Sequence, residues 1–161
     1  MTITVKKIGK NHYRLYDKTL VNANIDKTFD FFSNAENLNL ITPPWLNFNI
    51  QTQMPIIMRH NTIIDYKLKL HIITIHWRSI IDSWDPPNSF VDKQLIGPYK
   101  YWNHLHKISK LSDNQTIVED VVDYKLPFGF IAGLINNLYI KKDLIKIFTY
   151  RKNQIISYFN N

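Results

Sequence analysis

The chain has 161 residues, of which 45% are hydrophobic and 20% charged, a balance that excludes a disordered protein and allows one substantial core. It contains no cysteine, which excludes disulfides, thiol nucleophiles and cysteine-ligated metals. The net charge of +7 indicates either an anionic partner or simply a lysine-rich surface, because the lysines are scattered rather than clustered.

The first predicted elements are one strand and two short helices. Residues 12–21 mix aromatic and branched side chains, which predicts a strand. Asn24 is a suitable N-cap for a helix with the sequence IDKTFDFF. A second short helix over 34–41 must end before Pro43, since the residue that precedes a proline is driven out of the helical region.

Turn-forming residues then separate six further strands. The turns are Asp-Pro-Pro-Asn, Gly-Pro and Ser-Asp-Asn, all typical of chain reversals. Strands that follow one another through short turns favour antiparallel pairing. The predicted strands cover 46–54, 62–72, 74–84, 90–96, 100–111 and 116–126.

The C-terminal part of the chain has the period of a helix. Apolar residues recur every three or four positions over 131–157, while Lys146, Arg151 and Lys152 lie mostly outside this stripe. A sheet with one apolar face needs a cover, and this helix is long enough to supply it. The sequence therefore predicts a single α+β domain over 1–161, with an antiparallel sheet of about seven strands against a long C-terminal helix.

Residue parity assigns each strand side chain to one face of the sheet. In 62–72 the even residues are apolar, so they face inward, and hairpins that pair residues with even number sums would keep even residues inward in the later strands. The resulting inner face is too polar for an ordinary core and is typical of a pocket. The predicted ligand-binding residues are Tyr66, His76, Arg78, Trp84, Asp92, Gln94, Trp102, His104, His106, Asp120 and Tyr124.

The same register predicts specific cross-strand partners. It places His104 opposite Asp92 and His106 opposite Asp120, with Trp102 between Gln94 and Tyr124. Such a face could line a pocket, or it could be a self-satisfied polar network that fixes the strand register. Both interpretations remain open from the sequence.

A motif in the central strands resembles a known superfamily. It reads Trp-x-x-x-Ile-x-x-Trp-x-Pro-Pro from Trp77, followed by Phe-x-Asp-x-Gln-x-x-Gly-Pro-Tyr-x-x-Trp-x-His-x-His from Phe90. Together with Asp120, Tyr124 and the Pro-Phe-Gly that follows, it resembles bacterial START-like (SRPBCC) proteins of the polyketide cyclase/dehydrase and lipid-transport-like kind. The resemblance covers roughly 12–155 and implies a helix-grip fold with a cavity between sheet and last helix.

The resemblance also indicates where this chain departs from its relatives. We expect a glycine-containing turn near 71–74, where this chain has His-Ile-Ile-Thr. Isoleucine and threonine do not readily adopt the positive φ angles of such turns. We further expect the segment 46–54 and the Pro43-Pro44-Trp45 turn to border the pocket entrance.

Fold alone does not choose a function, because the superfamily includes lipid and sterol carriers, quinone-binding proteins, aromatic-polyketide cyclases and proteins that bind macromolecules. We favour a non-catalytic carrier or sensor of a hydrophobic or amphipathic small molecule, such as a lipid, a quinone or an aromatic polyketide-like compound. One alternative is a cyclase or dehydratase that uses a His–Asp pair. Another is an RNA- or ribosome-interacting module, although no RNA-binding motif is present.

Metal and cofactor sites find little support in the sequence. His104, His106 and His76 could together offer three imidazoles to a metal, but each has an acidic or aromatic neighbour available. We therefore predict no catalytic residue, no metal and no cofactor. The expected partner is a hydrophobic small molecule, with transient contact to an anionic membrane surface and none to nucleic acid. No segment has signal-peptide or membrane-spanning character, so we expect a soluble, cytoplasmic protein.

Overall fold

Antiparallel strands form one sheet in the computed structural model, which describes residues 3–127 and 129–160. Within these residues the strands are β1 (Thr4–Gly9), β2 (His12–Val21), β3 (Asn49–Ile50), β4 (Ile63–Leu70), β5 (Ile73–Asp85), β6 (Ser89–Ile96), β7 (Tyr101–Ser112) and β8 (Gln115–Lys125). They lie side by side in the order β1-β2-β8-β7-β6-β5-β4-β3. The predicted α+β architecture is confirmed.

Two short helices follow β2, as predicted. In α1 (Ile25–Phe32) the Asn24 side chain accepts a hydrogen bond from the backbone N–H of Lys27 at 2.8 Å, which caps the helix. A 3-10 turn (Ala35–Asn37) leads into α2 (Leu38–Ile41), which ends before the two prolines.

The C-terminal helical region covers the concave side of the sheet. It begins with a 3-10 turn (Gly129–Ile131), continues as α3 (Ala132–Ile135) and a π-helical turn (Asn136–Ile140), and ends as α4 (Lys141–Asn160). Leu144, Phe148 and Ile155 are buried against the sheet. Burial of side chains of this size contributes about 1.5–3 kcal/mol each. The predicted long helix over 131–157 is therefore confirmed.

Buried hydrophobic side chains form two core clusters beneath this helix. The first surrounds Tyr124 and Trp102 and includes Phe148 of α4. The second surrounds Phe90 and includes the phenylalanines of α1 and Ile155 of α4. Because α4 contributes to both clusters, it joins the two ends of the sheet. Among the described residues, no helix combines the length and hydrophobicity that crossing a bilayer requires.

The two edge strands differ from the prediction. β1 was not predicted, although Val5 and Lys6 pair with Leu15 and Arg14 of β2. The predicted strand over 46–54 is much shorter, since β3 has only two residues. Beyond them the chain leaves the ladder towards Pro55, a residue type that cannot donate a ladder hydrogen bond.

The face assignment along most of β5 was wrong, and the β4–β5 turn is the reason. Leu70 pairs with Ile73, so the turn has two residues and opposed residues have odd number sums. His71 adopts φ 55° there, in place of the glycine expected in such turns. Odd residues of β5 therefore face inward up to a β-bulge near residue 82, which restores the even register before Trp84. In consequence four residues predicted to be inward face outward: His76, Arg78, Ile80 and Asp82.

Candidate functional site

A cavity of about 200 Å³ lies between the inner face of β4–β7 and helix α4. Its lining is mostly apolar, with Leu68 on the sheet side and Leu144 on the helix side. Leu46 and Phe48 also line it, so the segment expected near the entrance does reach the cavity. The space has the composition of a small-molecule site, with apolar walls and a few polar groups.

Aromatic side chains build one wall of this cavity. The rings of Trp77 and Trp102 meet edge to face at 5.2 Å, and Tyr66 stacks on Trp77 at 6.0 Å. Ser79 fixes this arrangement, because its Oγ accepts a hydrogen bond from Trp77 Nε1 at 3.0 Å and lies 3.3 Å from Tyr66 Oη. Trp77 and Ser79 reach the cavity only because of the odd register of β5.

A compact ionisable cluster lies beside these rings on the same sheet face, with the rings of Trp102 and His104 6.4 Å apart. His104 Nε2 donates to Asp120 Oδ1 at 2.9 Å, and His106 Nε2 donates to Asp92 Oδ2 at 3.1 Å. His106 Nδ1 also lies 2.9 Å from Asp120 Oδ1, and His104 Nδ1 lies 3.4 Å from Asp92 Oδ2. Each histidine therefore bridges the same two carboxylates. The predicted pairings of His104 with Asp92 and of His106 with Asp120 are confirmed.

Arg151 of α4 completes the cluster and was missed from the sequence. Its Nε lies 3.5 Å from Asp120 Oδ2, and its guanidinium lies 5.5 Å from the centre of the Phe32 ring. Its side chain is only 12% exposed. Arg151 continues the helical spacing of Leu144 and Phe148, which indicates the inner side of the helix. Because Arg151 is charged, however, it was predicted to lie outside the apolar stripe.

The cluster moves the pKa values of its members in different directions. Burial and the neighbouring His106 lower the pKa of His104. Burial acts to lower the pKa of His106 as well, but its contacts with Asp120 and Asp92 outweigh burial and raise that pKa. For Asp120, the cost of burial is overcome by Arg151 and the two histidines, which hold its pKa well below the usual range. The pKa of Asp92 is also lowered, against burial, by the two histidines.

These directions define the charge of the cluster. Asp92 and Asp120 are ionised, Arg151 is positive, and His106 is the histidine that retains a proton more strongly. With His106 protonated, the two negative charges are balanced by two positive charges. A balanced group of this kind can donate hydrogen bonds to an oxygen atom in the cavity without leaving an unpaired buried charge.

Three members of the cluster have the chemistry of a metal site. Each of Asp92, His104 and His106 offers one possible ligand atom, and these three atoms lie within 4.8 Å of one another. Two histidines with one carboxylate suit zinc or iron. The same atoms, however, already contact one another, and the Arg151 guanidinium lies beside Asp120. We therefore describe the group as a hydrogen-bonded ionic cluster.

The predicted site residues fall into three groups. Tyr66, Asp92, Trp102, His104 and His106 line the cavity. Asp120 lies behind the two histidines and is 4% exposed, so it supports the cavity wall from below.

The remaining predicted residues have other contacts. Trp84 packs on Phe29 and Phe90 in the second core cluster. Gln94 donates to the backbone oxygen of Tyr99 at 2.7 Å and so holds the β6–β7 turn. Tyr124 is fully buried and donates to Asn136 Oδ1 at 2.7 Å.

The two wrongly placed residues form a separate group on the outer face. Arg78 donates to Asp65 at 2.8 Å, and His76 lies 3.3 Å from the same carboxylate. Since both lie across the sheet from the cavity, neither belongs to its lining.

Comparisons with known proteins agree on the fold. No protein-family model matches the sequence, and no curated protein matches it either. Among solved structures, the Zhui aromatase/cyclase from Streptomyces sp. R1128 is similar with a TM-score of 0.74 and 14% identity, over 92% of this chain and 94% of that one. A Thalictrum norcoclaurine synthase has a TM-score of 0.64 and 12% identity, over 98% of both chains.

A third similar structure is the major latex-like protein 151 of Panax ginseng, with a TM-score of 0.66 and 11% identity over 93% of this chain and 99% of that one. At such low identities the likeness establishes the fold and not the activity. The chain has a helix-grip fold, as the resemblance of its central motif implied.

Proposed function

We propose that this helix-grip domain binds a compact ring-containing molecule that carries a hydroxyl or carbonyl oxygen. The observation that supports this most directly is a cavity in which aromatic side chains lie beside the ionic cluster of Asp92, His104, His106, Asp120 and Arg151. Rings would pack against Trp77 and Trp102. The oxygen would accept hydrogen bonds from the cluster.

The size of the cavity favours a small ring system over a long-chain lipid. Its volume is about 200 Å³, whereas a cavity of about 150 Å³ is enough to hold benzene. Pockets for drug-sized ligands start at about 300 Å³. Of the ligands expected from the sequence, the cavity volume favours a quinone or an aromatic polyketide-like compound over a lipid, and we propose a ligand of one or two rings.

The charge of the cluster favours a neutral ligand. Because Arg151 and protonated His106 already balance Asp92 and Asp120, an anionic ligand would add an uncompensated buried charge. A phenol or ketone adds none and can accept from the guanidinium of Arg151, which lines the cavity. The proposed ligand is therefore a neutral aromatic alcohol or ketone.

Isothermal titration calorimetry with 2-naphthol, 2-naphthoate and palmitate tests this proposal. We expect 2-naphthol to bind and to lose about tenfold in affinity in Arg151→Met, since one hydrogen bond to a charged group contributes about 1.5 kcal/mol. The matched control is Asp123→Asn, on the outer face, which should bind like the unmodified chain. Binding of palmitate in place of 2-naphthol would refute the ring-ligand proposal. Native mass spectrometry of the purified protein would then identify the co-purified molecule.

A catalytic role is the second candidate. It is favoured by the Asp92–His106 pair, which lines the cavity and could exchange a proton with a bound ligand through the Asp92 carboxylate. One fold neighbour is itself an aromatase/cyclase. The test is the exchange of the acidic protons of 2-tetralone in deuterated water, followed by NMR.

Catalysis predicts an exchange rate above the buffer rate that falls to the buffer rate in His106→Gln and not in Asp123→Asn. An exchange rate equal to that of buffer would reject catalysis of proton transfer and leave the binding proposal standing.

A further inference from the structure

The start of the C-terminal helical region has one buried and one exposed side. Ala132 and Asn136 are fully buried, and Asn136 accepts the hydrogen bond of Tyr124 at 2.7 Å. On the opposite side Phe130 is 100% exposed and Leu134 is 62% exposed. The segment is therefore fixed to the sheet while it presents large apolar side chains outward.

Further apolar side chains lie at the same end of the sheet. Because neighbouring strands are antiparallel, the β4–β5 turn, the end of β6 and the end of β8 all lie at this end. At the turn Ile72 is 89% exposed. His71 of the same turn contacts Asp143 of α4 at 2.8 Å, which brings the turn beside the helix. We call this surface the apolar end, and it consists of Ile72, Ile73, Ile96, Phe130, Leu134 and Leu138.

Basic residues surround the apolar end. Lys141 and Lys142 follow it directly in sequence, and no acidic residue occurs between Lys125 and Lys142. Lys100 donates its backbone N–H to the backbone oxygen of Lys125, which places both lysines at this end. The nearest carboxylate, Asp143, is engaged by His71.

We propose that the apolar end docks on an anionic membrane surface. Exposed aromatic and aliphatic side chains flanked by lysines are the combination that binds at the boundary between headgroups and acyl chains. The apolar side chains would enter this boundary while the lysines contact anionic headgroups. Leu70, Leu144 and other cavity-lining residues lie directly behind this end, so docking would place the cavity beside the bilayer.

Two features favour a bilayer over a protein partner. The exposed side chains come from a turn tip and from the first turns of a helical region, so they protrude and do not line a groove. The lysines around them outnumber the carboxylate of Asp143, which His71 contacts, and this positive charge complements an anionic lipid surface. A second copy of the chain would bring the same lysines together and repel. This proposal does not depend on the identity of the cavity ligand.

Co-sedimentation of the full chain with lipid vesicles tests the proposal without any cavity ligand. Vesicles of phosphatidylcholine with phosphatidylserine should bind the chain, with binding that weakens as salt is added, and vesicles of phosphatidylcholine alone should bind it much less. The double variant Lys141→Gln/Lys142→Gln should lose about 25-fold in partition to the anionic vesicles, or about fivefold per lysine. The matched control, Lys27→Gln/Lys67→Gln, removes two exposed lysines elsewhere and should bind normally.

Phe130→Ser/Leu134→Ser tests the apolar contribution. It should reduce binding to the anionic vesicles at least tenfold, whereas Ile57→Ser, at a 75% exposed position on a distant loop, should not. Both serine variants replace exposed side chains, so unchanged thermal melts are expected. If the unmodified chain fails to bind anionic vesicles, the proposal is overturned. It is also overturned if the chain instead forms a concentration-dependent dimer that Phe130→Ser/Leu134→Ser abolishes, since the surface would then serve a second copy.

Discussion

The two faces of the sheet carry nearly the same ionisable residue types, yet they place them in different environments. On the outer face Asp65 contacts Arg78 and His76, which are 40% and 47% exposed. On the inner face Asp120 contacts Arg151 and His104, which are 12% and 8% exposed. Water screens the first group, whereas the members of the second depend on one another. Position relative to the core, and not residue type, decides which group can act as a site.

Removal of the central carboxylate from each group tests this comparison most strongly. Asp120→Asn should lower the free energy of unfolding by about 3–5 kcal/mol, because Arg151 and His106 lose a buried counter-charge. Asp65→Asn should change it little, since its partners are solvated. Urea unfolding of both variants measures the difference. Equal losses would mean that the inner cluster is no more coupled than the outer one.

The sequence was informative where hydrogen-bonded pairs occur within long strands. Even parity in β7 and β8 correctly placed His104, His106 and Asp120 inside, because the two strands keep one even register from Tyr101 to Lys110 and their bulge lies beside the hairpin turn. The same reasoning failed for His76 and Arg78, since a two-residue turn shifts the register by one. The backbone preference of one turn residue, His71, is too weak a signal to reveal that shift from the sequence alone.

Arg151 could not be recognised for a different reason. The buried side of a helix is predicted from the spacing of its hydrophobic residues, so a charged residue on that side is predicted to face solvent. Its partner Asp120 lies on a distant strand, and only the assembled fold brings the two together.

The two arginines provide the next test of the comparison. Arg151→Met should lower the free energy of unfolding by about 1–3 kcal/mol, because Asp120 loses a buried charged partner. Arg78→Met, on the outer face, should leave the unfolding midpoint unchanged. Thermal melts of the two variants at the same pH and salt decide the matter, and a larger loss for Arg78→Met would reverse our assignment of the faces.

The two buried histidines should contribute to stability over different pH ranges. The raised pKa of His106 means that its contribution to stability is present below the ordinary value of about 6.5 and is lost as pH rises through its folded pKa. The lowered pKa of His104 has the opposite sign, so its contribution is present above about 6.5 and lost as pH falls through its folded pKa.

NMR titration of the two imidazoles measures these directions. We expect His106 to remain protonated to a higher pH than His104, although the two side chains are only 3.8 Å apart between ring centres. In Asp92→Asn the pKa of His106 should fall, because one of the contacts that raises it is lost. Titration of both histidines at the same pH would contradict the cluster described above.

The smallest effect is expected for Asp123, an outer-face carboxylate on the same strand as Asp120. Asp123 pairs with Arg14 at 2.6 Å on the outer face, where Arg14 is half exposed. Asp123→Asn should therefore change the free energy of unfolding by no more than about 0.5 kcal/mol. Urea unfolding beside Asp120→Asn provides the contrast, and a loss similar to that of Asp120→Asn would show that residue parity fails in β8 too.

The register shift of β5 has a defined beginning and a defined end. It begins at the β4–β5 turn and ends at the bulge near residue 82, so the strands beyond it keep their own alignment. Insertion of one residue into the turn together with deletion of Asp82 would slide only the part between them. That exchange would present His76, Arg78 and Ile80 where Trp77, Ser79 and Ile81 now lie. The part of the cavity lining that β5 supplies can thus be changed by a compensated insertion and deletion, while the histidines of β7 stay in place.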